Sequence, residues 1–241
     1  MDFSKPKNLS AVSHPSLPKP WTSYELHAED GLSVFLLHVD PGVQRNVYRL
    51  RADALALSLH EQHIFKSTKA SRRDIASKRG DFYDQREGGV GGGWIAGGLG
   101  RKPGGVDLLF ITSAPDLPED LDKDAGRVAL DDKAEHPRSY SFQAAREKID
   151  QMTGAVRRAR VLDGPDLKVD LLRLTGRAAV KNTASSSSIL FEVEGAVDAR
   201  LSGRGSGLSG DRIFITAPGA VVHLAPNPAR PAYILLITPA N

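Results

Sequence analysis

The sequence contains an internal repeat, and this repeat constrains the fold more than any other feature. Four blocks, three of them apolar strand patterns, recur in the same order in the two halves of the chain. With their offsets in residues, the aligned pairs are 32–39 and 167–174 (135), 55–59 and 189–193 (134), Gly80-Asp81 and Gly210-Asp211 (130), and 108–112 and 234–238 (126). Since self-similarity in a fixed order is the signature of duplicated structural units, the chain is predicted to contain two copies of one β unit.

The offsets fall along the chain, which indicates that the first copy carries extra residues. Segment 88–105 holds ten glycines, too many for the interior of a regular helix or strand. We predict a long loop there, with Trp94 as an anchor against the body of the protein or against a partner.

One helix interrupts the strand patterns. Phe142, Ala145, Ile149 and Met152 recur at helical spacing, and Gly154 stands where a C-cap belongs. The stretch 116–135 before this helix carries eight acids against three bases and is interpreted as a linker. The predicted organisation is a flexible Pro-rich arm (1–22), an N-terminal β domain (23–118), an acidic linker with the helix (119–154) and a C-terminal β-barrel (155–241).

The stretch from Ser186 to Ile237 carries a family resemblance. It reads Ser-Ser-Ser-Ile-Leu-Phe-Glu-Val-Glu-Gly195, then Gly210-Asp-Arg-Ile-Phe-Ile-Thr-Ala-Pro-Gly219, then Val-Val-His-Leu and a closing Tyr-Ile-Leu-Leu-Ile. This pattern resembles the core of the cupin superfamily, and it is most similar to the non-catalytic C-terminal barrel of type I mannose-6-phosphate isomerases. Together with the repeat, it implies a mainly β protein: two small cupin-like barrels (double-stranded β-helix, or jelly roll) in tandem, joined by the acidic linker and one α-helix.

The same resemblance shows where a cupin would hold its metal. A His-x-His and a Glu normally precede the strand that matches 189–194, but here Asn182, Thr183, Ala184 and Ser188 stand in those places. None of them replaces an imidazole as a strong ligand. His223 matches the last cupin histidine, and one ligand does not hold a metal, so neither a metal nor another cofactor is expected.

His60 and His63 are the remaining weak metal candidates. Positions three apart share a face on a helix but point to opposite faces of a strand. The alternation of residues 54–59 favours a strand, so solvated histidines are the expectation. The alternative is a metal site in which His223 or His38 is the third ligand beside His60 and His63, and in the enzyme hypothesis His60, His63 and His223 converge on one ion.

The segment 66–102 is basic, with nine Lys or Arg against four acids. Cations interleaved with aromatic rings suit single-stranded nucleic acid, through phosphate neutralisation and base stacking. The candidate contacts are Lys66, Lys69, Arg72, Arg73, Lys78, Arg79, Trp94, Arg101 and Lys102. The alternative is a solvated basic face or a contact with an acidic protein surface.

Composition limits the function classes. The chain has 241 residues and no cysteine, which excludes disulfides and thiolate chemistry. No apolar run approaches the roughly 18 residues that span a bilayer, and the first 20 residues lack the apolar core of a signal peptide. We therefore expect a cytoplasmic, non-secreted protein with no membrane partner.

The sequence favours a non-catalytic cupin, either a structural or assembly protein or a ligand-binding module, which forms a homo-oligomer and is not an enzyme. One alternative is a nucleic-acid-binding coat or capsid-type protein that uses the basic segment. The other is a metal-dependent, isomerase-like enzyme whose pocket is the barrel interior, with His223 at its mouth.

Overall fold

The computed structural model describes residues 21–29, 31–67, 72–97, 105–121, 125–126, 137–208 and 212–240, with the backbone alone at 21–22, 66–67, 72–74 and 206–208. Contacts divide the chain into two compact units. The N-terminal unit comprises residues 33–141 together with strand residues before 27, and the C-terminal unit comprises 142–240 together with 27–32. Within the described ranges, no helix is long and apolar enough to cross a membrane.

The first twelve strands form three sheets. They are β1 (Trp21–Glu29), β2 (Leu32–Val39), β3 (Gln44–Arg45), β4 (Tyr48–Arg49), β5 (Ala54–Ser58), β6 (Gln62–Ser67), β7 (Arg72–Ser77), β8 (Phe82–Gln85), β9 (Val90–Gly91), β10 (Trp94–Ala96), β11 (Val106–Thr112) and β12 (Arg138–Tyr140). The sheet orders are β1-β2-β11-β5-β8-β12, β3-β10-β6-β7 and β4-β9.

The C-terminal unit begins with helix α1 (Phe142–Asp150) and continues with nine strands. They are β13 (Val156–Asp163), β14 (Leu167–Leu174), β15 (Ala178–Lys181), β16 (Ser188–Glu194), β17 (Val197–Ser202), β18 (Gly205–Leu208), β19 (Ile213–Thr216), β20 (Val221–Pro226) and β21 (Ala232–Pro239). The sheet orders are β13-β14-β21-β16-β19-β18 and β15-β20-β17. The predicted helix is present, and Gly154 beyond its end has the positive φ of 107° that favours glycine.

The two six-stranded sheets confirm the predicted duplication, because their first five strands follow the same order. Their register agrees as well: Phe35 lies opposite Phe110, and Asp170 lies opposite Leu236 at the expected offsets of 135 and 126. Near the third block, the offset between the two copies in the structure differs by one residue from the offset in the sequence alignment. Ser58 N donates to Asp81 O as Glu192 N donates to Arg212 O, so the offset there is 131 rather than 130.

The interior of the C-terminal barrel is filled with packed side chains. One face of β14, β16, β20 and β21 supplies the buried residues Leu172, Leu174, Leu190, Val222, Leu224, Ala232, Ile234 and Leu236. Each leucine, isoleucine or valine among them contributes about 1.5–3 kcal/mol by leaving water. This apolar core occupies the space that the isomerase-like alternative assigned to a substrate pocket, so that part of the alternative is wrong.

The acidic stretch departs from the predicted linker at its beginning. Leu117 is buried in the core of the N-terminal unit, and the Asp120 carboxylate forms a buried ion pair with Arg45. The division into units falls between Ser141 and Phe142. Residues 122–124 and 127–136 lie outside the described residues.

Candidate functional site

The positions where the cupin pattern places metal ligands hold a closed hydrogen-bond network in the C-terminal unit. Asn182 is 6% exposed. Its Nδ2 donates to Ser186 O and Thr216 O at 2.9 Å each, and its Oδ1 accepts from Ser188 Oγ at 2.8 Å and from Ala184 N at 3.0 Å. Since an amide has two donor hydrogens and two acceptor lone pairs, this side chain is fully used. The residues present therefore do not fit a metal ion.

His223 does not stand at the fourth ligand position, which corrects the sequence interpretation. Side chains alternate along β20, so Val222 and Leu224 point into the core while His223 is exposed. The residue that faces the barrel interior at this level is Val222, which cannot bind a metal. Among the described residues, no group of three or more His, Cys, Asp or Glu is arranged to hold a metal ion.

A cleft of about 550 Å³ lies instead on the outer face of the sheet β15-β20-β17, where His223 points. Ala179 of β15 and Arg200 of β17 lie directly opposite His223 of β20, one on each side, so the three form one row across the sheet. The next row contains Ala225 and, opposite it, Asp198. The cleft is lined by Arg177, Ala178, Ala179, Asp198, Arg200, His223, Leu224 and Ala225.

The depth of this cleft follows from where the alanines fall. Each of the two rows has three positions, one on each side of β20 and one on β20 itself. Ala179 occupies an outer position of the first row, and Ala225 occupies the central position of the second. Two of the six positions therefore carry only a methyl group. Arg177 immediately precedes the first residue of β15, which brings it level with Ala225. The long polar side chains thus surround a floor of small ones. Within the described part of the chain, no ion pair is found for Arg177, Asp198 or Arg200.

A second polar cluster lies in the N-terminal unit, and sequence reasoning named its histidines but missed its carboxylates. His38 and Asp107 are directly opposite on β2 and β11, with His38 Nδ1 2.5 Å from Asp107 Oδ1. His38 Nε2 lies 3.2 Å from an Asp40 carboxylate oxygen, and His60 Nδ1 lies 3.4 Å from Asp107 Oδ2. The side chains of His38 and His60 are each less than half exposed, at 40% and 45%. The signal for this cluster was the His-x-Asp in 38–40, but its partner is 69 residues away.

The repeat gives this cluster a counterpart in the C-terminal unit. At the same offsets, His38, His60 and Asp107 correspond to Arg173, Glu194 and Tyr233. In that copy, the Tyr233 hydroxyl donates to Asp150 Oδ1 at 2.7 Å, Arg173 Nε lies 2.7 Å from the same oxygen, and Arg146 pairs with Glu194. The second copy thus uses the position to hold helix α1, whereas the first copy presents two imidazoles and a carboxylate.

The pKa of His38 makes the N-terminal unit sensitive to pH. The hydrogen bond to the Asp107 carboxylate raises this pKa above the ordinary value of 6.5, the charges of Asp107 and Asp40 add to the rise, and partial burial opposes it. A raised pKa in the folded state stabilises the fold fully below about pH 6.5, and that stabilisation is lost as the pH rises through the folded pKa.

We expect an NMR titration of His38 to show a pKa above 6.5. Asp107→Asn should lower it more than Asp40→Asn does, because Asp107 supplies the largest contribution. His60 also faces Asp107, so its resonances are followed in the same spectra. Equal pKa values in the wild type and in Asp107→Asn would contradict the role of this hydrogen bond.

The three candidate histidines have different neighbours within their own units. His60 belongs to the cluster around Asp107, His63 lies 3.9 Å from the Glu61 carboxylate, and His223 lines the cleft of the other unit. The alternative of one ion held by His60, His63 and His223 stays a prediction.

The basic segment is only partly described. Lys69, Arg101 and Lys102 lie outside the described residues, and Lys66, Arg72 and Arg73 are placed by the backbone of the β6–β7 hairpin, where Lys66 is opposite Arg73. Lys78 is exposed, and Arg79 donates to Leu59 O at 2.6 Å. Trp94 is only 8% exposed, in the core of the N-terminal unit, so it cannot stack on a base. Binding of nucleic acid and homo-oligomer formation stay predictions.

Solved structures with the same fold were found for this chain. A salicylate 1,2-dioxygenase from Pseudoaminobacter salicylatoxidans, with gentisate adducts, is 11% identical with a TM-score of 0.63, over 89% of this chain and 72% of that one. An oxalate decarboxylase from Lactobacillus farciminis, in a formate complex, is 12% identical with a TM-score of 0.53, over 92% and 82% of the two chains. The match runs through both units. The chain has a bicupin fold.

No protein-family model and no curated protein matches this chain. The structural similarity shows the cupin fold and does not show the finer resemblance to mannose-6-phosphate isomerases. The bicupins it resembles are enzymes, a dioxygenase and a decarboxylase. This finding contradicts the interpretation of the chain as a non-catalytic structural or assembly protein and favours the enzyme alternative.

Proposed function

We propose that this bicupin is an enzyme that transfers protons on a small organic acid in the cleft of the C-terminal unit. The observation that carries the proposal is the arrangement of His223, Asp198 and two arginines around a floor of alanines. The solved bicupins act on or bind salicylate, gentisate, oxalate and formate, all small carboxylates. Their chemistry is not transferred here, because the positions of the cupin metal ligands hold Asn182, Ala184, Ser188 and Val222.

His223 is the acid–base group of the proposed reaction. Imidazole both accepts and donates a proton near neutral pH. Arg200, directly opposite His223, has its Cβ about 5 Å from that of His223, so its guanidinium reaches a carboxylate held beside the ring. When the proton on the carbon next to the carboxylate moves to His223, negative charge spreads onto that carboxylate, and the guanidinium stabilises it. Return of the proton from His223 to the same carbon restores the acid, or gives its mirror image after the bound anion has turned over in the cleft, so the step needs no oxidant or reductant.

The isomerase-like alternative from the sequence analysis has the same type of chemistry, which is a transfer of protons between carbon atoms and a base. In the present proposal this proton transfer needs neither a metal ion nor a substrate pocket in the barrel interior. Only its reaction class is retained, and the base is His223 on the outer face of the sheet.

The test is exchange of carbon-bound hydrogen for deuterium in D₂O, followed by proton NMR on a panel of small hydroxy acids. We expect the wild-type protein to catalyse exchange next to the carboxylate and His223→Ala to lose at least about 100-fold in rate. His63→Ala, a histidine outside the cleft, is the matched control and should keep the wild-type rate. Equal rates for wild type and His223→Ala, or no exchange with any acid, would overturn the proposal.

A further inference from the structure

The charges around the cleft select among small acids. Arg177 and Arg200 contribute two positive charges and Asp198 one negative charge, so the lining carries a net charge of about +1 when His223 is neutral. A monocarboxylate matches this net charge. A dicarboxylate would bring its second carboxylate to a wall that already holds Asp198, where two like charges repel.

Asp198 also determines which group the ligand must carry in addition to its carboxylate. An ionised carboxylate only accepts hydrogen bonds, so it needs a donor on the ligand. Asp198 lies opposite Ala225, whose small side chain leaves the central strand open at this level, and Arg177 stands level with Ala225 on the other side. A hydroxyl held near Asp198 and the Arg177 guanidinium therefore lie across the alanine floor from each other, whereas Arg200 stands two residues from Asp198 on the same face of β17.

We infer that the cleft binds a small hydroxy-monocarboxylate, with its carboxylate on Arg200 and Arg177 and its hydroxyl donating to Asp198. This inference rests on the proposed function for the identity of the site, and it adds the substrate class. Because hydrogen bonds to charged groups are worth more than neutral ones, and because a guanidinium can bind a carboxylate through two parallel hydrogen bonds, both contacts are expected to set affinity as well as orientation.

The test uses three probes of equal carbon number: glycerate, malonate and glycerol. By isothermal titration calorimetry, we expect glycerate to bind at least about tenfold more tightly than malonate, and glycerol not to bind. Arg200→Gln should weaken glycerate at least about tenfold. Arg204→Gln, the same change at an arginine that is 86% exposed and does not line the cleft, is the matched control and should leave affinity unchanged.

Asp198→Asn gives the sharpest result, because it removes the acid that repels a second carboxylate. We expect this variant to bind malonate better than the wild type does and to lose its preference for glycerate. Equal affinities of the wild type for glycerate and malonate, or an unchanged preference in Asp198→Asn, would overturn the inference.

These outcomes separate the inference from the proposed function. Binding of glycerate with the expected variant effects, together with no exchange of hydrogen in D₂O, supports the ligand class and overturns the enzyme proposal. Exchange that depends on His223 but acts only on dicarboxylates overturns the ligand class and leaves the enzyme proposal standing.

Discussion

Replacing Asp120 with alanine is expected to destabilise the N-terminal unit by about 3–5 kcal/mol, because the change leaves a buried guanidinium without its carboxylate. The side chains of Arg45 and Asp120 are 4% and 9% exposed. Asn46 also donates to the Asp120 carboxylate at 3.2 Å, and the Arg45 guanidinium lies 4.7 Å from the centre of the Tyr48 ring. Thermal unfolding followed by near-ultraviolet circular dichroism, supported by urea titration, measures the loss.

The neighbouring acid provides the matched control for this experiment. Glu119 pairs with Arg51 at 2.7 Å, but both side chains are more than half exposed. Exposed pairs of this kind contribute about 0–1 kcal/mol, so Glu119→Ala should change stability little. The double variant Arg45→Met with Asp120→Leu should recover most of the stability, since removing both charges removes the unpaired ion. Equal losses for Asp120→Ala and Glu119→Ala would contradict the importance of the buried pair.

Asp120 also illustrates a limit of sequence patterns. A run of eight acids in 116–135 has the composition of a solvated linker, and composition does not reveal that one acid of the run is buried. Its partner Arg45 is 75 residues earlier in the chain. The same limit hid Asp107, whose partner His38 is 69 residues away, because only strand pairing brings the two side chains together.

The tandem β architecture was predictable, because burial on both faces of a strand produces long apolar runs that survive in both copies. The registers of β2 with β11 and of β14 with β21 agree with offsets read from those runs. The details of β20 were not predictable from the motif alone. Matching His223 to the cupin histidine ignored the alternation of side chains, and a shift of one residue moves a side chain to the other face of a sheet. Val222, and not His223, faces the core.

That one-residue difference decides which groups surround the histidine. A histidine at the position of Val222 would face the barrel interior, whereas a histidine at 223 lines an open cleft with Arg200 and Asp198. The candidate site therefore depended on register, which the sequence pattern left ambiguous. The cleft itself needed the structure, because it forms from small residues on two different strands.

Replacing Asn182 with alanine is the second change with a large expected effect. The variant removes four hydrogen bonds at once and leaves Thr216 O and Ser188 Oγ without their partner, and both residues are only 1% exposed. An unsatisfied buried polar group costs about 1–3 kcal/mol. We therefore expect the C-terminal unit to lose about 3 kcal/mol, measured as a fall in its unfolding midpoint in urea.

Thr183→Ala is the control for this loss, because Thr183 is the adjacent residue and is exposed, and surface substitutions of this kind usually change stability by less than about 0.5 kcal/mol. Asn182→Asp separates the two halves of the network: it keeps the acceptors for Ser188 and Ala184 but loses both donors, so it should also destabilise the unit. If Asn182→Ala were as stable as Thr183→Ala, the network would not hold the barrel together. The expected loss instead implies that the positions where the cupin pattern places metal ligands are held together by the amide of Asn182.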